Sequence, residues 1–479
     1  MKARYLWTSG LITVCALFWS GMVWAQALPS TLPDLAARPD YTLETILEWF
    51  EKYKETKPDF EAPTTFRQQD LSRLAPFIPP GIIEEYDFPE LELRLVETSK
   101  FESHPLNREA TEKYAGQTTV TPDCTLENYH AGHPFSPEEL DPNDPLSGCK
   151  AIWNYESRWM PYGTWIDRVQ WVWVSRGGSH ADHPLSVSMP GVYPGQGEFG
   201  RTIALWYQRF YYTHSAMYGT ENNYIAPGVD GAEQFFWKEY DHFFEPYDVR
   251  GTRFLQWRYD DARRADDAWV YVPALRRVRR VSAEVKSDSL LGTDYTLEDF
   301  YAFSGRVPVH EWKFLGWKTV VSQWNPKQYP HVKYGPISSI STDDHEVRRA
   351  AVILGIPKSQ RHPYSAKVMF VDPESWNNMY NIIFDKAGKL WKVNVWYWYN
   401  TETNPGALAE GNAQHNQGRH AVMYYDSSMI DIQRGTATIA TDLGDEKGPT
   451  SPPQFGYREM TPAQVDDIFD INRLTEGKR

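Results

Sequence analysis

After residue 153 the chain alternates apolar and polar positions with a period of two over many short stretches, the mark of half-buried strands. Val169, Trp171 and Trp173 fall on one face of such a stretch. Ile203, Leu205 and Tyr207 fall on one face of another, with Trp206, Phe210 and Tyr212 on the reverse. Leu255, Trp257 and Tyr259 alternate with Gln256 and Arg258. Trp269 and Tyr271 do the same with Val270 and Val272, so residues 254–272 read as two strands around a polar turn. Pro273 interrupts, and a basic strand follows with Arg276, Arg277, Arg279 and Arg280. Further strands are expected at 312–321, 366–371, 380–384 and 390–399. The last two are joined by Asp385-Lys386-Ala387-Gly388, where glycine is free to take positive φ. The run VNVWYWY at 393–399 is aromatic on both faces and predicts a central strand covered on both sides.

Helical periodicity is scarcer. Leu43, Ile46, Leu47, Phe50 and Tyr53 make one stripe in a helix over 40–56 capped by Asp40. Val347, Ala350, Ala351 and Leu354 suggest a second, opened by caps at 341–343 and stopped by Gly355 and Pro357. A third is expected over 461–474, with Thr461 and Gln464 as a capping box around Pro462. The Pro-rich, acidic stretch 58–90 reads as an extended wrap over the body. Many strands and few helices predict a mainly β (α+β) fold, a large curved antiparallel sheet with helices packed in its concavity.

The first 25 residues have a charged start (Lys2, Arg4), a short apolar core and Val23-Trp24-Ala25 before Gln26. That is an export signal cleaved after Ala25, and it predicts a periplasmic protein. Residues 26–66 then form a leader and helix, and 67–479 a single large domain. Cleavage removes Cys15 and leaves Cys124 and Cys149, an even pair in an oxidising compartment, which predicts a disulfide closing the loop 124–149. Loss of Lys2 and Arg4 takes the net charge from −14 to −16, which excludes generic nucleic-acid binding. Aromatic residues make up 15% of the chain although mean hydropathy is −0.58, a pairing that suits strands with Trp and Tyr on one face and polar groups on the other.

Chemistry-bearing motifs are few. The arginines at 276–280 suit an anionic group or a charged strand edge, and alternation lets only about half of them share a face. His130/His133 and His180/Asp182/His183 have metal-compatible spacings but lack a further ligand at a diagnostic distance. The GQGEFG at 195–200 lacks the strand-loop-helix context of a dinucleotide loop. Asp260, Asp261, Asp266 and Asp267 flank a turn with Arg263 and Arg264, as solvated turn charges do. The chain has no G-x-S-x-G elbow. Neither a metal nor another cofactor is expected.

DDAWVYVPALRRVRRV at 266–281, followed by GTDYTLEDF at 292–300, resembles the signature of domain of unknown function 1329. That family is grouped with LolA/LolB-like outer-membrane lipoprotein-sorting proteins. Asp267, Trp269, Tyr271, Pro273 to Arg280 and Gly292 to Thr296 carry the match, with supporting similarity at 132–154, 249–261 and 387–392. The resemblance covers about residues 70–430. It implies a LolA-like incomplete β-barrel with an apolar cavity, and a non-enzymatic carrier of a lipid or other apolar molecule. It also implies work alongside an RND-type exporter and a porin-like outer-membrane partner. On that reading Trp171, Trp173, Trp257, Trp269, Tyr271, Tyr397 and Trp398 are candidate wall residues, and Arg277 and Arg279 candidate head-group or partner contacts. Two other functions fit the same pattern: a fully packed interaction module of an envelope complex, and a glycan-binding or glycan-processing protein that uses Trp platforms.

Overall fold

A computed structural model describes residues 40–281, 289–328, 330–402, 418–442, 455–456 and 458–476. The export signal and leader up to residue 39 lie outside these. Two meanders dominate. The first runs β5 (Gly163–Ser175), β6 (Glu198–Tyr211), β7 (Phe235–Glu245), β8 (Arg253–Tyr259), β9 (Asp267–Val272) and β10 (Arg277–Val281). Its predecessors are β1 (Thr64–Phe66), β2 (Leu93–Leu95) and a small separate hairpin, β3 (Thr119–Val120) with β4 (Leu126–Glu127). The second meander runs β11 (His310–Gln323), β12 (His345–Pro357), β13 (Ala366–Val371), β14 (Asn378–Phe384), β15 (Leu390–Asn400), β16 (Val422–Asp431) and β17 (Thr436–Asp442). Antiparallel pairing of β17 with β5, Thr438 opposite Trp173, joins the two into one sheet, and β18 (Phe455–Gly456) pairs with the start of β5. The sheet is antiparallel apart from a parallel bridge between His345 and Leu95 and an isolated parallel bridge from Trp324 to Trp398 of β15. It is curved and not closed: among the described strands β1 and β10 end the order without meeting. Bulges in β5/β6, β6/β7, β14/β15 and β15/β16 supply local bends.

The stretch expected to be a helix at 341–354 is strand β12. Its Ala350–Leu354 run is buried on both faces, and a continuous apolar run has no period to tell strand from helix. Gly355, which looked like a helix stop, remains in the ladder opposite Trp312. A Cβ there would lie 2.5 Å from the Trp312 ring. The 58–90 segment is core rather than wrap: Phe66, Leu71, Leu74, Ile78, Ile82 and Tyr86 are all fully buried.

α1 (Leu43–Tyr53) is capped by Thr42 rather than Asp40, through a reciprocal pair with Thr45, and buries Trp49 against Phe370. α2 (Leu71–Leu74) and α3 (Pro105–Lys113) are short. α4 (Ser147–Glu156) lies against β11, where Gly148 has Trp312 backbone 2.3 Å from a virtual Cβ, a site closed to any other residue. Cys149 on α4 is bonded to Cys124, Cα–Cα 5.5 Å, tying the β3–β4 hairpin down. At the C-terminus the expected helix is two, Pro462–Ile468 and Arg473–Glu476, separated by a turn after Phe469. The low mean hydropathy has a structural origin: the interior holds charge pairs. Arg209 meets Glu239 at 2.6 Å, Lys333 meets Asp426 at 2.7 Å, and Arg348 meets Glu346 at 2.7 Å and Asp372 at 3.0 Å.

Candidate functional site

The β15–β16–β17–β5–β6 part of the sheet carries an aromatic slot, covered by the segment that leads into β11. The cover begins with Asp294, whose carboxylate accepts from Thr436 Oγ1 at 2.8 Å and Thr438 Oγ1 at 2.9 Å. Thr296 then opens a short 3-10 turn with Asp299 as its reciprocal cap. The turn breaks at Phe300 (φ −61°, ψ 136°), and Tyr301 and Ala302 take positive φ of 51° and 82°. Non-glycine residues adopt that region only when neighbours over-determine it. Here the reversal swings two rings onto the sheet. Phe300 meets Trp171 at 5.7 Å, and Tyr301 lies parallel to Trp396 at 6.3 Å. Tyr295 stacks on Trp171 at 6.1 Å.

Between cover and sheet is a cavity of about 60 Å³, bounded also by Ile166, Val169, Leu205, Tyr207, Tyr424 and Ala440. Three of its tyrosine hydroxyls are occupied: Tyr207 Oη donates to Glu239 at 2.8 Å, Tyr295 Oη shares a hydrogen bond at 2.7 Å with Ser427 Oγ, which also lines the slot, and Tyr424 Oη donates to the Ala440 carbonyl at 2.5 Å. Burial raises the Tyr301 hydroxyl to about 12. The slot therefore presents neutral ring faces and aliphatic carbon, a lining for apolar matter.

Polar anchors hold the cover. Asp299 is completely buried and accepts from Lys367 Nζ at 2.9 Å and Tyr364 Oη at 2.7 Å. The Ala302 carbonyl takes Asn381 Nδ2 at 2.9 Å and Lys367 Nζ at 3.2 Å. Glu298 accepts from His362 Nε2 at 2.9 Å and faces His310 Nε2 at 3.6 Å. Burial alone would raise this carboxyl, but the two histidines and Lys367 hold it well below the usual range. Donor atoms of Glu298, His310 and His362 lie within 4.8 Å of one another, a spacing that suits a metal ion. Tautomer chemistry argues otherwise. The Tyr364 N–H donates to His362 Nδ1 at 3.1 Å, so Nε2 carries the proton and gives it to Glu298. Lys367 Nζ, 3.9 Å from the same carboxylate, already supplies positive charge.

Of the nine residues named from the sequence, Trp171 lines the slot. Trp398 stacks behind Trp396 at 5.6 Å, its indole N–H held by the Asn378 carbonyl at 2.6 Å. Tyr397 is buried beside Lys333 and His331, and its hydroxyl accepts from the Ser341 N–H at 3.2 Å. Trp173 is half-buried with its ring against Gly200. Trp257, Trp269 and Tyr271 belong to the opposite sheet face. Trp257 is opposite Lys238, which is itself opposite Phe210, and that face is covered by the C-terminal helices, where Trp257 Nε1 donates to the Phe469 carbonyl at 3.1 Å. Arg277 and Arg279 share one face of β10 and are exposed, away from the slot. The sequence reading missed Tyr295, Phe300, Tyr301, Trp396 and Tyr424. Tyr295 stood inside the recognised GTDYTLEDF block, whereas Phe300 and Tyr301 act from a non-repetitive turn that periodicity cannot register.

Two polar hollows lie nearby. One of about 260 Å³, beside the disulfide-tied hairpin, contains His214, whose Nδ1 faces the His130 carbonyl at 2.6 Å and Nε2 faces Asp260 at 2.8 Å. Both partners accept, an arrangement that favours the protonated ring. Asp260 and the carbonyl outweigh the effect of burial and raise its pKa. The other hollow, about 600 Å³, lies on the far side of the cover. His180 is occupied by Ser186 and Gly195, and buried His133 is pushed down to about 4.

A family profile described as "Protein of unknown function (DUF1329)" matches residues 68–465. An uncharacterised protein of Pseudomonas aeruginosa is 22% identical over 376 residues, covering 74% of this chain and 71% of its own length. Among solved structures, a DUF1329 family protein from Desulfovibrio piger superposes with a TM-score of 0.42 at 16% identity, covering 69% of this chain and all of its own. A LolA superfamily protein from Nitrosomonas europaea gives 0.34 at 12% identity, covering 67% and 94%. No helix among the described residues is long and apolar enough to cross a membrane.

Proposed function

We propose that this chain, which belongs to the DUF1329 family, is an exported, non-catalytic carrier that shelters a lipid or other apolar molecule between the sheet and the 294–303 cover. The observation that carries this reading is the slot itself, where the rings of Trp171, Tyr207, Tyr295, Phe300, Tyr301 and Trp396 converge around apolar space. The disulfide fits an oxidising compartment such as the periplasm. Ligand sites commonly hold roughly 300–1,000 Å³, so the cavity of about 60 Å³ is a closed state and loading requires the cover to lift. On this reading an inner-membrane exporter of RND type and an outer-membrane partner would deliver or receive the cargo.

Native mass spectrometry of the protein purified from periplasm, followed by solvent extraction, tests this. The expected result is an apolar ligand that exchanges with added fatty acid. A protein that is ligand-free and takes up no fatty acid would overturn it. The nearly filled interior favours one second reading, a packed adaptor within an envelope complex. That adaptor would show no exchange and would retain its partners when the slot is blocked.

A further inference from the structure

The cover has two sides. Tyr295, Phe300 and Tyr301 close the aromatic slot, while Glu298, Gly305 and Arg306 of the same segment line the separate hollow of about 600 Å³. The other walls of this hollow come from the turn after β8 and the turn after β12. They contribute Arg263, Arg264 and Arg361 together with His362. Two of the four arginines are committed. Arg306 donates to the carbonyls of Tyr259 at 2.9 Å and Ala262 at 3.2 Å, and Arg263 pairs with Asp123 at 2.9 Å. Both carboxylates of the lining are buried and matched, Asp266 with Arg258 at 3.0 Å and Glu298 with His362 at 2.9 Å. Arg264 lies over the Tyr259 ring at 3.3 Å, and neither it nor Arg361 has a carboxylate partner among the described residues. The hollow is thus net positive, in a chain whose overall charge is −14. Ala262, Ala265 and the half-exposed Val309 place apolar carbon beside the guanidinium groups.

We propose that this hollow binds the anionic head group, a phosphate or carboxylate, of an amphiphile whose apolar part enters the aromatic slot. This rests on the carrier reading and narrows its cargo to acidic amphiphiles. Guanidinium groups meet such anions with paired, charge-assisted hydrogen bonds. Ser304 N–H donates to the Glu298 carbonyl at 2.7 Å, so the turn between slot and hollow is a closed loop of backbone. Lifting it would join the two spaces. The arginines of β10 are separate from this site.

The test uses calorimetry on the full chain with three probes: dihexanoyl phosphatidate, dihexanoyl phosphatidylcholine and inorganic phosphate. It compares wild type with the doubly substituted Arg264→Gln/Arg361→Gln protein, whose changes are at exposed positions. Phosphatidate is expected to bind more tightly than either other probe, and the double substitution to weaken it about tenfold or more while leaving phosphatidylcholine unchanged. If both amphiphiles bind and neither responds to the substitutions, the head-group site is overturned and the carrier reading stands. If phosphate binds as tightly as phosphatidate, the hollow is a free-anion site and the proposal fails. If neither amphiphile binds, both readings fall.

Discussion

Asp299→Asn isolates the hold of the cover on the slot. The substitution keeps the shape of the side chain and removes its charge, leaving Lys367 with the Ala302 carbonyl at 3.2 Å and the Glu298 carboxylate at 3.9 Å. Losing one partner of a buried ion pair costs about 3–5 kcal/mol, because the other charge stays buried. Glu298 recovers part of that here, which places the cost near the lower end, about 3 kcal/mol. If it falls on the closing of the cover alone, the open population rises roughly 150-fold. Hydrogen exchange of peptides spanning 293–304 should accelerate by about that factor, while peptides from β15 and β16 keep their protection. Binding of an apolar fluorophore should rise in parallel. Phe300→Ala, which removes a ring from Trp171 and leaves the ion pair intact, should give the same local signature. Equal acceleration across the whole sheet, or none in the cover, would refute the idea of a separately opening cover.

Two further outcomes test the frame around the slot. Lys318 is buried with its ammonium on the Tyr53 carbonyl at 2.9 Å, and burial lowers its pKa from 10.5 to about 7. The unfolded chain therefore binds the extra proton between these values. Stability should climb as pH rises from about 7 to 10, and Lys318→Met should gain up to about 5 kcal/mol at pH 6 and flatten that slope, as read from urea midpoints. Replacing Cys124 and Cys149 by serine should cost roughly 3 kcal/mol by thermal or urea unfolding, since the bridge spans 25 residues.

How much was legible in the sequence follows from the physics of each signal. Alternation gave the strands, and where alternation stopped so did its reach. β15 was readable as a doubly covered strand because aromatics filled both of its faces. β12 carries no strand signal, because a run buried on both sides has no period, and its Gly355 serves a tryptophan rather than a helix end. The Trp257–Tyr271 hairpin was found as a hairpin, but alternation gives two faces without saying which one meets the slot. That choice is made by the C-terminal helices, more than 200 residues away. The cover was hidden for a different reason. Its aromatic contacts arise from a non-repetitive turn that reverses through left-handed Tyr301 and Ala302, and its anchors Tyr364, Lys367 and Asn381 lie on other elements.

Charge, rather than packing alone, fastening the cover has a consequence for its motion. A buried ion pair gains about as much as it loses on desolvation, and replacing one by matched apolar groups is often neutral or stabilising by about 1–4 kcal/mol. Apolar contacts resist separation in a graded way, whereas a hydrogen-bonded pair is directional and is lost once the groups part. Asp299→Leu combined with Lys367→Met and Tyr364→Phe removes both charges and the hydroxyl that would be stranded. The loss of the Asp299 cap at Thr296 subtracts about 1 kcal/mol from any gain. The combined substitution should close the cover at least as firmly as wild type, slow exchange at 293–304 and slow uptake of an apolar probe, in the opposite sense to Asp299→Asn. Faster exchange in the combined variant would show that the ion pair supplies net closing energy, and the expectation that apolar groups can replace it would fall.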